Sequence, residues 1–338
     1  MTRTGVSAAL LALVLAGLAN AETRGRTVTP ERIAASPGLT LQAALDRAGF
    51  SPGEIDGRPG AVTKRALAAF QKEHGLTPTG AVDDETWDAL GVEPGEVAQT
   101  ITQYAIAAED VQGPFTPEIP EDMVAKSELP ALGYTDVVEA LAERFHTAPA
   151  LLKALNPEAK FAAGETITVP QVSTPPPAAT TARDSRGTEK APEAVGTSGG
   201  ATDVTVSVSK SAEALTVRSA DHEILLFAPV TVGSEHDPLP IGQWKVKGVQ
   251  RNPDFHYNPD LFWDADPSDT KAKIPAGPNN PVGVVWIDLD KPHYGIHGTP
   301  EPGKIGYRES HGCVRLTNWD ALKLAALVKP GTAVIFER

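Results

Sequence analysis

At 338 residues the chain has room for two or three domains, and its 30 prolines and 30 glycines describe globular modules joined by breaker-rich connectors. A formal net charge of −13 and a pI near 5.1 exclude nucleic acid as a partner, because gripping a phosphate backbone requires a basic face. A single cysteine, Cys313, excludes an internal disulfide framework.

The chain opens with "MTRTGVSAALLALVLAGLANA", in which Arg3 precedes an apolar run from Ala8 to Ala19, and Ala19 and Ala21 flank Asn20. This pattern predicts a signal peptide over 1–21, cleaved after Ala21, which sends the mature chain to the periplasm or cell envelope. A membrane anchor is the alternative reading, but the run falls short of the roughly 20 apolar residues a spanning helix needs. No later segment approaches that length, so no membrane span is expected in the mature chain.

Four blocks follow. In 38–91, "LTLQAALDRAGF" aligns Leu39, Leu41, Ala44, Leu45 and Ala48 on one helical face, with Gly49 as a stop. A second helix carries Val62, Leu67, Ala68, Phe70 and Gln71 and ends at Gly75. A third starts from Asp83 as N-cap and turns Thr86, Trp87 and Leu90 inward. A small all-α three-helix unit results.

The block 130–172 predicts two helices separated at His146 to Pro149, then a short strand in which Ile167 and Val169 alternate. From 173 to 203 almost no large apolar residue occurs. That stretch predicts a flexible tether between domains that move independently. The last block, 204–338, alternates at period two in "VTVSVSK" and "QWKVKGV", continues through "VGVVWIDL" to "TAVIF", and contains one helix, "TNWDALKLAALV". It predicts a mainly-β sandwich or barrel with one helix. Within it, residues 251–280 form a long Pro- and Asp-rich loop, read as a lid carrying Phe255, Tyr257, Phe262 and Trp263.

Cys313 closes the stretch "ESHGC". In an exported chain a lone thiol is a reactive group, half of an intermolecular bridge, or inert packing. As a nucleophile it needs a nearby base or cation. His297, behind a Gly- and Pro-containing loop, and the adjacent His311 supply candidate bases. Gly312 permits a tight turn and close substrate approach, its neighbouring amides can face an oxyanion, and Arg315 shares the thiol's side of a strand. Zinc held by His293, His297, His311 and Cys313 is the competing arrangement, although Pro292, Gly295, Gly298 and Pro300 rule out a helix presenting ligands four apart.

Three stretches carry resemblances to known families. "GEIDGRPGAVTKRALAAFQKEHGLTPTGAVDDETWDAL" resembles the peptidoglycan-binding domain of bacterial wall enzymes, and the 130–172 block, through "LNP" and "GETITVP", resembles a LysM module without its usual first strand. "HGTPEPGKIGYRESHGCVRLTNWDAL" resembles the signature of the L,D-transpeptidase catalytic domain, supported by "DPLPIGQWKV" and by "GPNNPVG", which is similar to that family's substrate-side loop. That resemblance implies that Cys313 attacks a peptidoglycan stem peptide, releases the terminal D-Ala and forms a thioester, which an amine then resolves as a 3→3 cross-link or a lipoprotein attachment. It implies His297 as base and acid with Gly298 fixing its ring, His311 and Arg315 as orienting and stabilising groups, Ser310 supporting the turn, and Gly312 beside the oxyanion. Asn318, Tyr294, Trp263 and Tyr257 are assigned to substrate binding. No cofactor and no metal are expected, and the partners are stem peptides and glycan, with a lipoprotein as a further acceptor. Two alternatives are an L,D-carboxypeptidase or hydrolase that releases wall-linked lipoprotein with the same thiol, and a non-catalytic wall-binding protein.

Overall fold

The computed structural model describes residues 29–173, 203–263, 265–266, 268–307 and 312–338. The expected signal peptide and nearly all of the expected tether, together with Ser310 and His311, lie outside these described residues. Among the described residues no helix is long and apolar enough to cross a membrane.

The N-terminal unit contains α1 (Pro30–Ala34), α2 (Pro37–Arg47), α3 (Ala61–Glu73) and α4 (Asp84–Leu90). Proline at the first helical turn pre-sets φ for α1 and α2. The Asp83 carboxylate caps α4 by accepting from the Thr86 amide at 2.9 Å, and Gly91 ends it at φ +66°. Leu41, Leu45, Leu67, Phe70 and Trp87, which the helical periodicity turns inward, form its core together with Phe50, while Ala48, expected on the same face, is exposed.

The middle unit runs through α5 (Val97–Thr100), β1 (Ile101–Ala105), α6 (Met123–Ser127), α7 (Val137–Arg144), α8 (Pro149–Leu155) and β2 (Thr166–Pro170). The two helices and the final strand match the expectation for 130–172. The unit reaches further back than that boundary, because β2 pairs antiparallel with β1 from Ile101↔Pro170 to Ala105↔Thr166. Ile106, Leu141, Leu152, Ile167 and Val169 pack between the strands and helices.

The C-terminal unit is an eight-stranded sheet in the order β11-β10-β9-β6-β12-β3-β4-β5, with a separate two-stranded hairpin β7-β8. Its strands are β3 (Thr205–Ser209), β4 (Ala214–Arg218), β5 (Ile224–Pro229), β6 (Gly242–Arg251), β7 (Phe255–Tyr257), β8 (Ala272–Ile274), β9 (Val285–Leu289), β10 (Gly295–His297), β11 (Val314–Arg315) and β12 (Ala333–Glu337), and its helix is α9 (Asn318–Leu327). The outermost strands of that order nearly meet. Thr231, just beyond β5, bridges Arg315 of β11 through reciprocal amide-to-carbonyl bonds of 3.0 and 2.9 Å. The sheet is therefore curled towards a barrel, which removes the exposed edges that an open sheet would leave. Val206, Val217, Leu226, Val285, Ile287, Ile296, Val314 and Phe336 fill its interior against Leu324 of α9.

The three units pack into one body, which corrects the expectation of independently moving domains. Residues 49–51 add to the outer edge of β5 through Phe227 N–H to Gly49 O and Ser51 N–H to Phe227 O, both 2.8 Å. Phe227 and Ala214 of the sheet complete the core of the helical unit. Ser51 Oγ donates to the Asp320 carboxylate of α9 at 2.7 Å, and the His146 ring stacks on Trp319 at 5.2 Å. The composition of the tether describes only the tether. The residues that form these interfaces read, in one dimension, as each unit's own core.

The 251–280 loop is also organised. Its β7-β8 hairpin buries Tyr257 and Ile274 against Leu132, with Met123 of α6 alongside. The Leu132 amide donates to Ala276 O, and the Asn279 amide donates to Leu132 O, both at 3.0 Å. The middle unit thus clamps the stretch leading into β9.

Candidate active site

β10 and β11 run parallel, with Ile296 opposite Val314 and His297 opposite Arg315. Continuing that register back one residue sets Cys313 beside Gly295. Side chains alternate along a strand, so Ile296 and Val314 enter the core while His297, Arg315 and Cys313 share the opposite face. The sequence reading that Arg315 shares the thiol's side agrees with this register.

His297 is buried, and its Nδ1 lies 2.7 Å from the Gly298 carbonyl. A carbonyl only accepts, so Nδ1 carries the proton and Nε2 is left as the basic atom. Trp286, opposite His297 on β9, stacks on the imidazole at 5.5 Å with an interplanar angle of 17°. That stacking depends on Gly295, where a Cβ would stand 2.5 Å from the indole. Burial, followed by the positive charge of Arg315, pushes the imidazole down to about 3, against a smaller opposing effect of the Gly298 carbonyl. His297 is therefore neutral at pH 7 and able to accept a proton.

Cys313 is half-buried, with Sγ 3.8 Å from the His293 carbonyl. Burial raises the thiol pKa and the Asp237 carboxylate adds to this, while the Gly295 amide and Arg315 pull it down. The resting pair is a neutral thiol and a neutral imidazole. Gly312 adopts φ +101°, a region that L side chains rarely enter. The Tyr294 ring lies against it, 3.1 Å from where a Cβ would be. Burial, then the neighbouring Cys313, raises the Tyr294 hydroxyl pKa, so Tyr294 borders the thiol.

The other assigned substrate contacts are placed differently. Trp263 is 60% exposed and stacks on His236 at 4.5 Å, one residue before Asp237. Tyr257, by contrast, is buried in the hairpin core and its hydroxyl donates to Asp269 at 2.6 Å. This corrects its assignment to substrate, since both its ring and its hydroxyl are committed to the loop's own packing. Asn318 is also corrected. It is fully buried, and its Nδ2 donates to both Glu143 oxygens at 3.1 and 3.0 Å and to Pro278 O at 3.2 Å, while its Oδ1 accepts from the Val284 amide at 3.2 Å. Both of its N–H groups are committed, and its oxygen is enclosed by the Gly283 and Gly298 backbones. Among the described residues no three His, Cys, Asp or Glu side chains form a metal-binding group.

Sequence reasoning missed Trp286, Asp237 and Glu143. Trp286 left a signal, being an aromatic on the face of "VWIDL" opposite buried Val285, Ile287 and Leu289. Asp237 and Glu143 read as ordinary surface charges.

A half-buried thiol and a neutral imidazole on adjoining strands of a curled sheet are the equipment of covalent acyl transfer. Residues 203–336 match the L,D-transpeptidase catalytic domain family, YkuD, and residues 39–90 match the "Putative peptidoglycan binding domain" family. The chain therefore carries an L,D-transpeptidase catalytic domain preceded by a peptidoglycan-binding domain. It is 32% identical over 133 residues to "Putative L,D-transpeptidase YkuD" of Bacillus subtilis (strain 168), covering 39% of this chain and 65% of that relative. It is 34% identical over 116 residues to "Probable L,D-transpeptidase YbiS" of Escherichia coli (strain K12), covering 33% of this chain and 37% of the relative. The chain thus spans less than two thirds of the length of these relatives. Among solved structures, "L,D-transpeptidase from Mycobacterium smegmatis" aligns with a TM-score of 0.33 and 21% identity, over 40% of this chain and 59% of that one.

Proposed function

We propose that this chain is an exported cysteine L,D-transpeptidase that acts on peptidoglycan stem peptides. The observation that supports the proposal is the parallel register that sets His297 of β10 opposite Arg315, two residues after Cys313, within the matched catalytic domain. His297 Nε2 takes the thiol proton as Sγ attacks the carbonyl that precedes the terminal D-Ala. The C–N bond breaks, the proton passes to the departing amine, and a thioester remains on Cys313. An acceptor amine then attacks the thioester carbonyl and loses a proton to His297, the C–S bond breaks, His297 returns the proton to the Cys313 sulfur, and the product leaves as a 3→3 cross-link or a lipoprotein attachment.

Because the resting thiol is neutral, proton transfer accompanies attack, and Arg315 supplies the positive charge that favours the sulfur anion. The amides around Gly312 and Cys313 receive the oxyanion, His311 is assigned an orienting and stabilising role and Ser310 a supporting one, and Gly298 holds the imidazole tautomer. Tyr294 and Trp263 flank the substrate, with the 251–280 loop acting as a lid. We assign 1–21 to export, 38–91 to wall binding, the middle unit to a LysM-like glycan contact, and 173–203 to a connector. A wall-binding domain on the same chain raises the local concentration of a polymeric substrate.

Incubation of the mature protein with disaccharide-tetrapeptides, followed by mass spectrometry, tests the reaction. Dimers short of one D-Ala are expected. Tripeptide monomers alone would assign water as the acceptor and favour the carboxypeptidase reading, and unchanged substrate would reject both.

A further inference from the structure

Glu143 lies in the last turn of α7 in the middle unit, yet its carboxylate reaches a residue of the catalytic unit 175 positions away. We infer that Glu143 is a positioning residue for His297, acting through Asn318 and the Gly298 peptide. The inference rests on the proposed role of His297 as the base.

Asn318 is the link. Its donors are taken by the Glu143 carboxylate and the Pro278 carbonyl, and its oxygen by the Val284 amide. This set fixes which way the amide points, since a flipped side chain would set its oxygen against a carboxylate. Two backbones press on that oxygen. A Cβ at Gly298 would lie 2.2 Å from it and a Cβ at Gly283 2.0 Å, so both glycines are in direct contact with the amide. The Gly298 carbonyl is the acceptor that selects the His297 tautomer, and the Gly298 amide is tied to Val285 O at 3.2 Å. A shift of Asn318 therefore displaces the peptide whose carbonyl fixes the His297 tautomer and ring.

Glu143 is held in its turn by the Tyr134 hydroxyl, which donates at 2.9 Å. Nearby, the Asn279 amide donates to Glu139 at 3.1 Å and to Gly133 O at 3.0 Å, so the middle unit holds the 277–283 stretch at a second point. Burial pushes the Glu143 carboxyl up to about 7, with Glu139 adding to it, while Asn318 and Tyr134 favour the ionised form. All the groups that bond Glu143 are donors. Its protonated form must turn one oxygen into a donor facing them, and the clamp weakens.

The full chain carries the test, with Glu143→Ala, Glu143→Gln, Asn318→Ala and the double variant Glu143→Ala/Asn318→Ala checked for folding by circular dichroism. Glu143→Ala is expected to lower kcat by about tenfold with KM within about twofold, the size of effect that a displaced catalytic group produces. In the Asn318→Ala background the same change should have no further effect, because the link is already cut. Wild type should show an inflection in kcat close to pH 7 that Glu143→Gln lacks. A folded Glu143→Ala protein with unchanged kcat, or one whose loss adds in full to that of Asn318→Ala, would overturn the inference. The rate of Cys313 labelling by iodoacetamide, measured on the same variants across pH, reads the state of the site without the natural substrate. Absent turnover in wild type, with labelling still perturbed by Glu143→Ala, counts against the transpeptidase reading and leaves the positioning role standing.

Discussion

Asp46 is fully buried where all three units meet. Its carboxylate takes His146 Nδ1 at 2.8 Å, Lys323 Nζ of α9 at 3.1 Å, and the Ser173 amide and hydroxyl at 3.0 and 2.9 Å. Burial alone would raise its pKa, but the adjoining His146 and Lys323 outweigh that and hold the carboxyl well below the usual range. Asp46→Asn keeps the shape and removes the charge, which leaves the largely buried Lys323 ammonium without its counter-ion. Removing one partner of a buried pair costs about 3–5 kcal/mol, a large share of the ~5–15 kcal/mol that stabilises a typical protein. Equilibrium urea unfolding at pH 7, followed by tryptophan fluorescence, should show that loss as one transition, because Trp87 in the helical unit and Trp319 beside His146 sit in a single packed body. The pH dependence has a definite sign. A depressed carboxylate pKa contributes stability that is fully present above the unfolded value of about 4 and is lost as pH falls on towards the folded value, so the gap between wild type and Asp46→Asn should narrow progressively as pH falls below about 4. A difference under about 0.5 kcal/mol at pH 7, the range of ordinary surface changes, or two separated transitions would refute the reasoning.

Three more predictions follow from the site. Arg315→Met should slow iodoacetamide labelling of Cys313 at pH 7 and Asp237→Asn should speed it, each by about three- to tenfold, because the two charges act on the thiol with opposite sign; equal signs would show that charge does not govern the thiol. His297, pushed down to about 3, should stay neutral from pH 5 to 8, so its imidazole nitrogens should show no change of the size that ring protonation produces, and activity should show no acid limb from this ring near its ordinary value of about 6.5; a protonation-sized shift centred near 6.5 in the NMR spectrum would contradict this. Gly312→Ala should cut acylation by about tenfold or more, since a side chain at φ +101° costs about 1–3 kcal/mol and meets the Tyr294 ring; an unchanged rate would free the turn from that constraint.

Periodicity alone disclosed the helices of the N-terminal unit, down to Asp83 as the cap of α4, because local hydrogen bonding and amphipathic spacing act within a few residues. The thiol and His297 were legible because they lie close together in sequence, so a short motif describes the loop between their strands. Long-range pairing was not legible. β1 lies more than sixty residues before its partner β2, and nothing in "ITQYA" names that partner. Buried ionic groups misled for a related reason. Asp46 and Glu143 fall at polar positions within helical stretches and His146 in the break between two, and only the docked units show Lys323 beside Asp46 and Asn318 beside Glu143. Tyr257 and Asn318 show the converse error. An aromatic in a long loop and an asparagine inside a catalytic motif both invite a ligand role, yet each is bonded inward.

The central claim is that Cys313 carries the acyl group. Brief incubation of the mature chain with a disaccharide-tetrapeptide, acid quenching, and intact-mass analysis with peptide mapping tests it most directly. An adduct equal to the substrate less D-Ala is expected, mapped to Cys313 and absent from Cys313→Ala. Release of D-Ala by Cys313→Ala at the wild-type rate, or an adduct mapped to any other residue, would contradict it.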